Sequence, residues 1–111
     1  MAAPAGFRQN FTRILQSGGP LMLRQQYASL LRRFLSRELG RHRARRRLTQ
    51  EQLSERLCMA PRSYADLEHG VCGCSGLTVV LFLLQLQDEE VLELVHGARE
   101  TFEGAGHHGV A

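Results

Sequence analysis

Five arginines fall within seven positions: Arg41, Arg43, Arg45, Arg46 and Arg47. Guanidinium groups at this density suit a polyanion, because each can neutralise a phosphate and release its counterion. A helix C-terminus favours cations by about 0.3–1 kcal/mol each, a role that five arginines exceed. A solvated helix end is the plain alternative. A second grouping is His69, Cys72 and Cys74. Structural zinc takes four ligands, with cysteines usually two or more residues apart. Cys58 and His107-His108 do not complete such a set, and a disulfide between Cys72 and Cys74 would be strained. No metal or cofactor is expected. Glu89, Glu90 and Glu93 suit the positive end of a helix rather than a catalytic pair of acids. With no Ser/His/Asp grouping and no phosphate loop, the chain does not read as an enzyme.

The charge distribution sharpens the polyanion reading. All 14 Lys+Arg residues are arginine, a bias that GC-rich coding also produces. Residues 1–65 hold 13 arginines and three acids (Glu38, Glu51, Glu55), a net +10; residues 66–111 hold Arg99 and eight acids, a net −7. A basic first half suits nucleic acid, and the acidic second half must face elsewhere. An odd cysteine count, no signal-peptide pattern and no apolar run of about 18 residues point to a cytoplasmic protein away from membranes.

The elements that must position these groups are helical, since Leu, Ala, Arg, Glu and Gln dominate. Residues 1–22 read as a flexible or non-native extension, and the preferred start is Met22. From Leu23, the residues Tyr27, Leu31, Leu35 and Leu39, with Leu30 and Phe34 beside them, form the apolar stripe of a long first helix; Arg24, Arg32, Arg33 and Arg37 fill the other face. Thr49 and Gln52 form a capping box for a helix over 50–57 with Leu53 and Leu57 inward. Pro61 suits the first position of a third helix, with Tyr64 and Leu67 inward and a left-handed stop at Gly70. Ser75 caps a fourth helix over 76–86. It is apolar nearly all round and so belongs at a bundle centre or in an interface. Asp88-Glu89-Glu90 opens a fifth helix, whose stripe is Val91, Leu94, Val95, Ala98 and Phe102 with Leu92 beside it; residues 104–111 read as a disordered tail.

Two short helices joined by about three residues, the second opening on proline, satisfy the helix-turn-helix description. In that arrangement the second helix sets its N-terminal side chains against base edges in the major groove. The run Leu48-Thr49-Gln50-Glu51-Gln52-Leu53-Ser54-Glu55-Arg56-Leu57, with Tyr64 and Leu67-Glu68-His69-Gly70 after it, resembles the phage repressor and Cro type of helix-turn-helix over about residues 35–96. The resemblance implies an all-α, five-helix, repressor-like DNA-binding domain over 23–103, acting as a small bacterial transcription regulator.

It also implies roles. Gln50 matches a phosphate-contacting glutamine. Pro61, Arg62 and Asp66 fall where base-reading side chains stand. Arg43 and Glu68 match a partly buried ion pair between the first and third helices. The sequence departs from the pattern in four ways: Pro61 makes no polar base contact, Asp66 is acidic, Ala60 lacks a capping side chain, and Cys58 and Arg47 stand where glycine is usual. The reading face reduces to Arg62, Ser63 and His69, with Asp66 able to accept from a cytosine amino group. Gln50, Arg41, Arg45, Arg46 and Arg47 are expected at phosphates. Double-stranded DNA and a second copy of the chain are the expected partners, the dimer meeting through the fifth helix and the fourth. The alternative is a protein-interaction module, or an antitoxin-like regulator, that keeps this fold with weak or no sequence-specific DNA binding.

Overall fold

Short-range chemistry sets the helix ends. Thr49 is extended (φ −78°, ψ 165°) and its hydroxyl accepts from the Gln52 amide at 3.1 Å, while the Gln52 side chain accepts from the Thr49 amide at 2.9 Å. Ser75 accepts from the Thr78 amide at 3.2 Å. Each cap satisfies donors that the first helical turn leaves unpaired. The computed structural model describes the backbone of residues 20–108 and the side chains of residues 23–104. Among the described residues the chain is all-helical: α1 Pro20–Arg45, α2 Gln50–Arg56, α3 Pro61–Glu68, α4 Gly76–Gln85 and α5 Asp88–His108.

Three of these helices stop in the same way. The amide two residues past the C-cap returns to a carbonyl five residues back: Leu48 to Arg43, Met59 to Ser54 and Val71 to Asp66. Such a stop needs a left-handed residue, and these are Arg47 (φ 56°), Cys58 (φ 55°) and Gly70 (φ 75°). Only Gly70 adopts that backbone without strain. Arg47 and Cys58 each carry about 1 kcal/mol of it, which the surrounding packing must offset.

The core gathers Leu39 from α1, Leu53 and Leu57 from α2 and its C-cap, Tyr64 and Leu67 from α3, and Phe82 from α4. Met59, Leu48 and Leu94 pack at its margin. Helix α5 runs antiparallel to α1: Tyr27 stacks at a tilt on Phe102, Phe34 lies beside Gly97, and Arg45 meets Glu90. A Cβ on Gly97 would stand 3.4 Å from the Phe34 ring, so the missing side chain lets the two helices close.

Four expectations change. Helix α1 begins at Pro20, inside the stretch read as an extension, because proline is well tolerated in a first helical turn; residues 1–19 lie outside the described residues. Helix α5 continues to His108 through the stretch read as a tail, a continuation of a helix that Phe102 ties to Tyr27. Leu31 is 42% exposed although it shares its helix face with the buried Leu35, Leu39 and His42. Of the two places expected for helix α4, a bundle centre or an interface, the centre is excluded. Thr78 and Phe82 face inward, while Leu77 (67%), Val80 (51%) and Leu84 (76%) face solvent. None of the described helices is long and apolar enough to cross a membrane.

His42 is the most deeply placed titratable group of α1. It is 4% exposed, sits edge-on to Phe82 at 5.4 Å, and neither ring nitrogen has a hydrogen-bond partner. Burial lowers its pKa, and Arg46 and Arg56 push the same way against Gln85 and Glu90. A lowered folded-state pKa means that the unfolded chain takes the proton first. Stability is therefore complete above the ordinary histidine range near pH 6.5 and declines as pH falls through it. Urea midpoints between pH 7.5 and 5 should fall for the parent chain and flatten in His42→Leu. Parallel declines in both would refute the assignment.

Candidate nucleic-acid interface

Helix α3 presents one face to solvent. Arg62, Ser63 and His69 on that face are exposed and Asp66 is half-buried, while Tyr64 and Leu67 on the opposite face are buried. Ala60 caps the helix without a side-chain hydrogen bond and Pro61 follows at its first turn. The amides of Arg62 and Ser63 therefore have no cap acceptor, which leaves donors at the positive end of a helix facing outward.

What holds α3 in place is a cluster centred on Glu68. The Arg43 guanidinium donates to both carboxylate oxygens, from Nε at 3.0 and 3.1 Å and from Nη2 at 2.8 Å. Arg43 Nη1 donates to the Leu48 carbonyl at 3.1 Å, and Gln50 Nε2 donates to Glu68 Oε2 at 3.0 Å. Ser36 Oγ donates to the Glu68 backbone carbonyl. One acid thus joins α1, the turn after it, the start of α2 and the end of α3. Burial pushes the Glu68 carboxyl up, but the hydrogen bonds from Arg43 and Gln50 outweigh this and hold it below the usual carboxylate range. Gly40 makes room for the cluster: a Cβ there would lie 3.2 Å from Glu68 Oε1. Glycine inside a helix costs about 1 kcal/mol against alanine, and this close approach accounts for its presence. Tyr64 lies fully buried nearby with no hydrogen-bond partner for its hydroxyl, and burial raises its pKa.

The expected ion pair Arg43–Glu68 is present as such, at 2.8 Å. Gln50, expected at a phosphate, has one of its amide hydrogens engaged by Glu68. The arginine cluster is distributed. Arg45 meets Glu90 at 3.1 Å and Glu93 at 3.8 Å, Arg46 also binds Glu90, and Arg41 lies 3.5 Å from Glu38. Glu90 additionally accepts from the Gln87 amide at 2.9 Å, so it caps α5 and pins the end of α1 at once. That backbone hydrogen bond, with Arg45 and Arg46 behind it, lowers its pKa. Among the described residues, Arg47, expected at a phosphate, and Arg62, expected at a base edge, have no carboxylate partner.

Sequence reading missed Ser36 and Gly40. Their spacing carries a signal, since two small residues four apart share a helix face and admit a close neighbour. Cys58 and Cys72 are exposed and Cys74 is half-buried, all as free thiols, with burial raising the Cys74 pKa. Among the described residues no group of three or more His, Cys, Asp or Glu side chains is arranged to hold a metal ion. No family model, characterised protein or solved structure matches this chain.

Proposed function

We propose that the chain is a DNA-binding transcription regulator built on a repressor-like helix-turn-helix, with α3 as its reading helix. One observation carries this reading. Helices α2 and α3 are joined by a tight left-handed turn at Cys58, and α3 is clamped through Glu68 while Arg62, Ser63 and His69 stay exposed. A reading helix must be rigidly held on one side and free on the other, and it reads with its N-terminal residues. In this reading Arg62 recognises a guanine edge and Asp66 a cytosine amino group, while Arg47 and the second amide hydrogen of Gln50 contact phosphates. Arg45 and Arg46 act in this reading by fixing α5 rather than by reaching DNA. A second copy of the chain, docking through the exposed rows on α4 and α5, brings two reading helices to half-sites about one helical turn apart.

Binding to the DNA upstream of the protein's own gene, measured across a salt series, tests this. A footprint is expected. Arg62→Ala should relax preference at one base position by about 1–3 kcal/mol while leaving the fold intact. No binding at the lowest salt would sink the reading.

A second reading is a protein-interaction module of the same architecture. It is favoured by the exposed apolar row Leu77, Val80 and Leu84, a surface that a protein partner can cover. It expects no DNA footprint and a partner released by Leu84→Glu.

A further inference from the structure

We infer that the basic groove between α1 and the C-terminal end of α3 seats a DNA phosphate backbone, extending the contact past the reading helix. This rests on the helix-turn-helix reading above. The groove is lined by Arg32, Arg33, Ser36 and Arg37 of α1 and by His69 and Gly70 after α3, with a volume of about 710 Å³. No carboxylate lines it.

The two ends of α1 differ in how their charge is balanced. Near its C-terminus, Arg41, Arg43, Arg45 and Arg46 each meet an acid of this chain. Residues 20–37 hold four arginines and no acid. Arg32, Arg33 and Arg37 are exposed and form no ion pair among the described residues. Like charges at one helical spacing repel, as Arg33 and Arg37 do here, at a cost of a few tenths of a kcal/mol; Arg37 has Glu38 and Glu100 on its other side, whereas no carboxylate lines the groove that it shares with Arg32 and Arg33. An external polyanion supplies the missing balance.

The groove's position selects DNA among polyanions. Arg62, Asp66 and His69 share the outward face of α3 at helical spacing, and His69 is itself a wall of the groove. His69 thus joins the outward face of α3 to the wall formed by Arg32, Arg33 and Arg37. The side chains of Arg33 and Arg37 start about 5–6 Å apart, close enough for long arginines to reach neighbouring phosphates of one strand. Three arginines therefore cover two to three successive phosphates.

The test uses the full chain with Arg32→Gln, Arg33→Gln and Arg37→Gln combined, against duplexes of about 30 base pairs carrying the parent's preferred site. Because each phosphate contact contributes about 0.9 to the slope of log K against log salt, that slope should fall by about 2–3. With the two salt lines meeting near about 1 M, affinity at about 0.1 M salt should drop roughly 100- to 1,000-fold, with base preference unchanged and no loss of thermal stability. A parent that binds DNA and a variant that matches it in slope and affinity would overturn the groove assignment alone. A parent that binds no DNA would overturn the helix-turn-helix reading and the groove with it. Arginine-dependent capture on phosphatidylserine vesicles, without arginine-dependent binding to duplex, would assign the groove to a membrane surface and equally overturn it.

Discussion

Glu68→Ala is expected to cost about 3 kcal/mol of folding stability, the low end of the range for breaking a buried ion pair. The low end applies because the Arg43 side chain keeps 29% exposure while that of Glu68 keeps 12%. Removing the carboxylate leaves the Arg43 guanidinium and the Gln50 amide facing a site with no acceptor, and the loss comes mainly from those stranded donors. Replacing both charges together, as Arg43→Met with Glu68→Leu, should cost far less, since a well-packed apolar pair often equals an ion pair in stability. The single and double variants therefore separate a desolvation effect from a packing effect. Equilibrium urea unfolding reads both, and a single-variant loss below about 1 kcal/mol would show the cluster to be decorative. The linkage has a definite sign. Glu68 has a depressed folded-state pKa, so its contribution is present above the ordinary carboxylate range and fades as pH falls through the lowered value. That window lies below the one in which His42 acts.

Leu53→Ala should cost about 3–4 kcal/mol, within the range for emptying a buried leucine site. Leu53 has no exposed surface and stands among Leu39, Leu57, Tyr64, Leu67 and Phe82, which come from all three other core helices and from α2 itself. Neighbours drawn from several elements cannot collapse into the void without moving a helix, which places the cost above the minimum. The same change at Leu84, which is 76% exposed, should fall within about 0.5 kcal/mol of the parent. Similar losses at the two positions would mean that the core is not where Leu53 places it. If DNA binding is present, Leu53→Ala should weaken it only through the folded fraction, and binding should recover at low temperature where the variant is folded.

Several helix ends were legible in the sequence. The Thr49–Gln52 box, the Ser75 cap, Pro61 and the left-handed stop at Gly70 act over five residues or fewer, whereas the left-handed backbone at Arg47 and Cys58, the start of α1 and the end of α5 were not. The inward residues of α2 and α3 were legible too, because each helix has one core to face. The Arg43–Glu68 pair came from the family resemblance, not from the residues taken alone.

Tertiary packing decided the rest. The basic run Arg41–Arg47 looks uniform along the chain, yet its members meet different acids once α5 folds back, with Glu90 lying 44 and 45 residues from Arg46 and Arg45. A charge run carries no label saying which guanidinium an intramolecular acid will neutralise. Helix α4 shows the same limit: an all-apolar surface does not say which side is covered, and only the neighbours on one side made Phe82 core and Leu84 surface. Among the described residues, Arg32, Arg33, Arg37, Arg47 and Arg62 are among the arginines without an ion pair, whereas four of the five in the densest cluster have one. Local hydrogen bonding was written in the residues themselves, whereas Coulomb partners and solvent exposure depend on separations that exist only after the helices have packed.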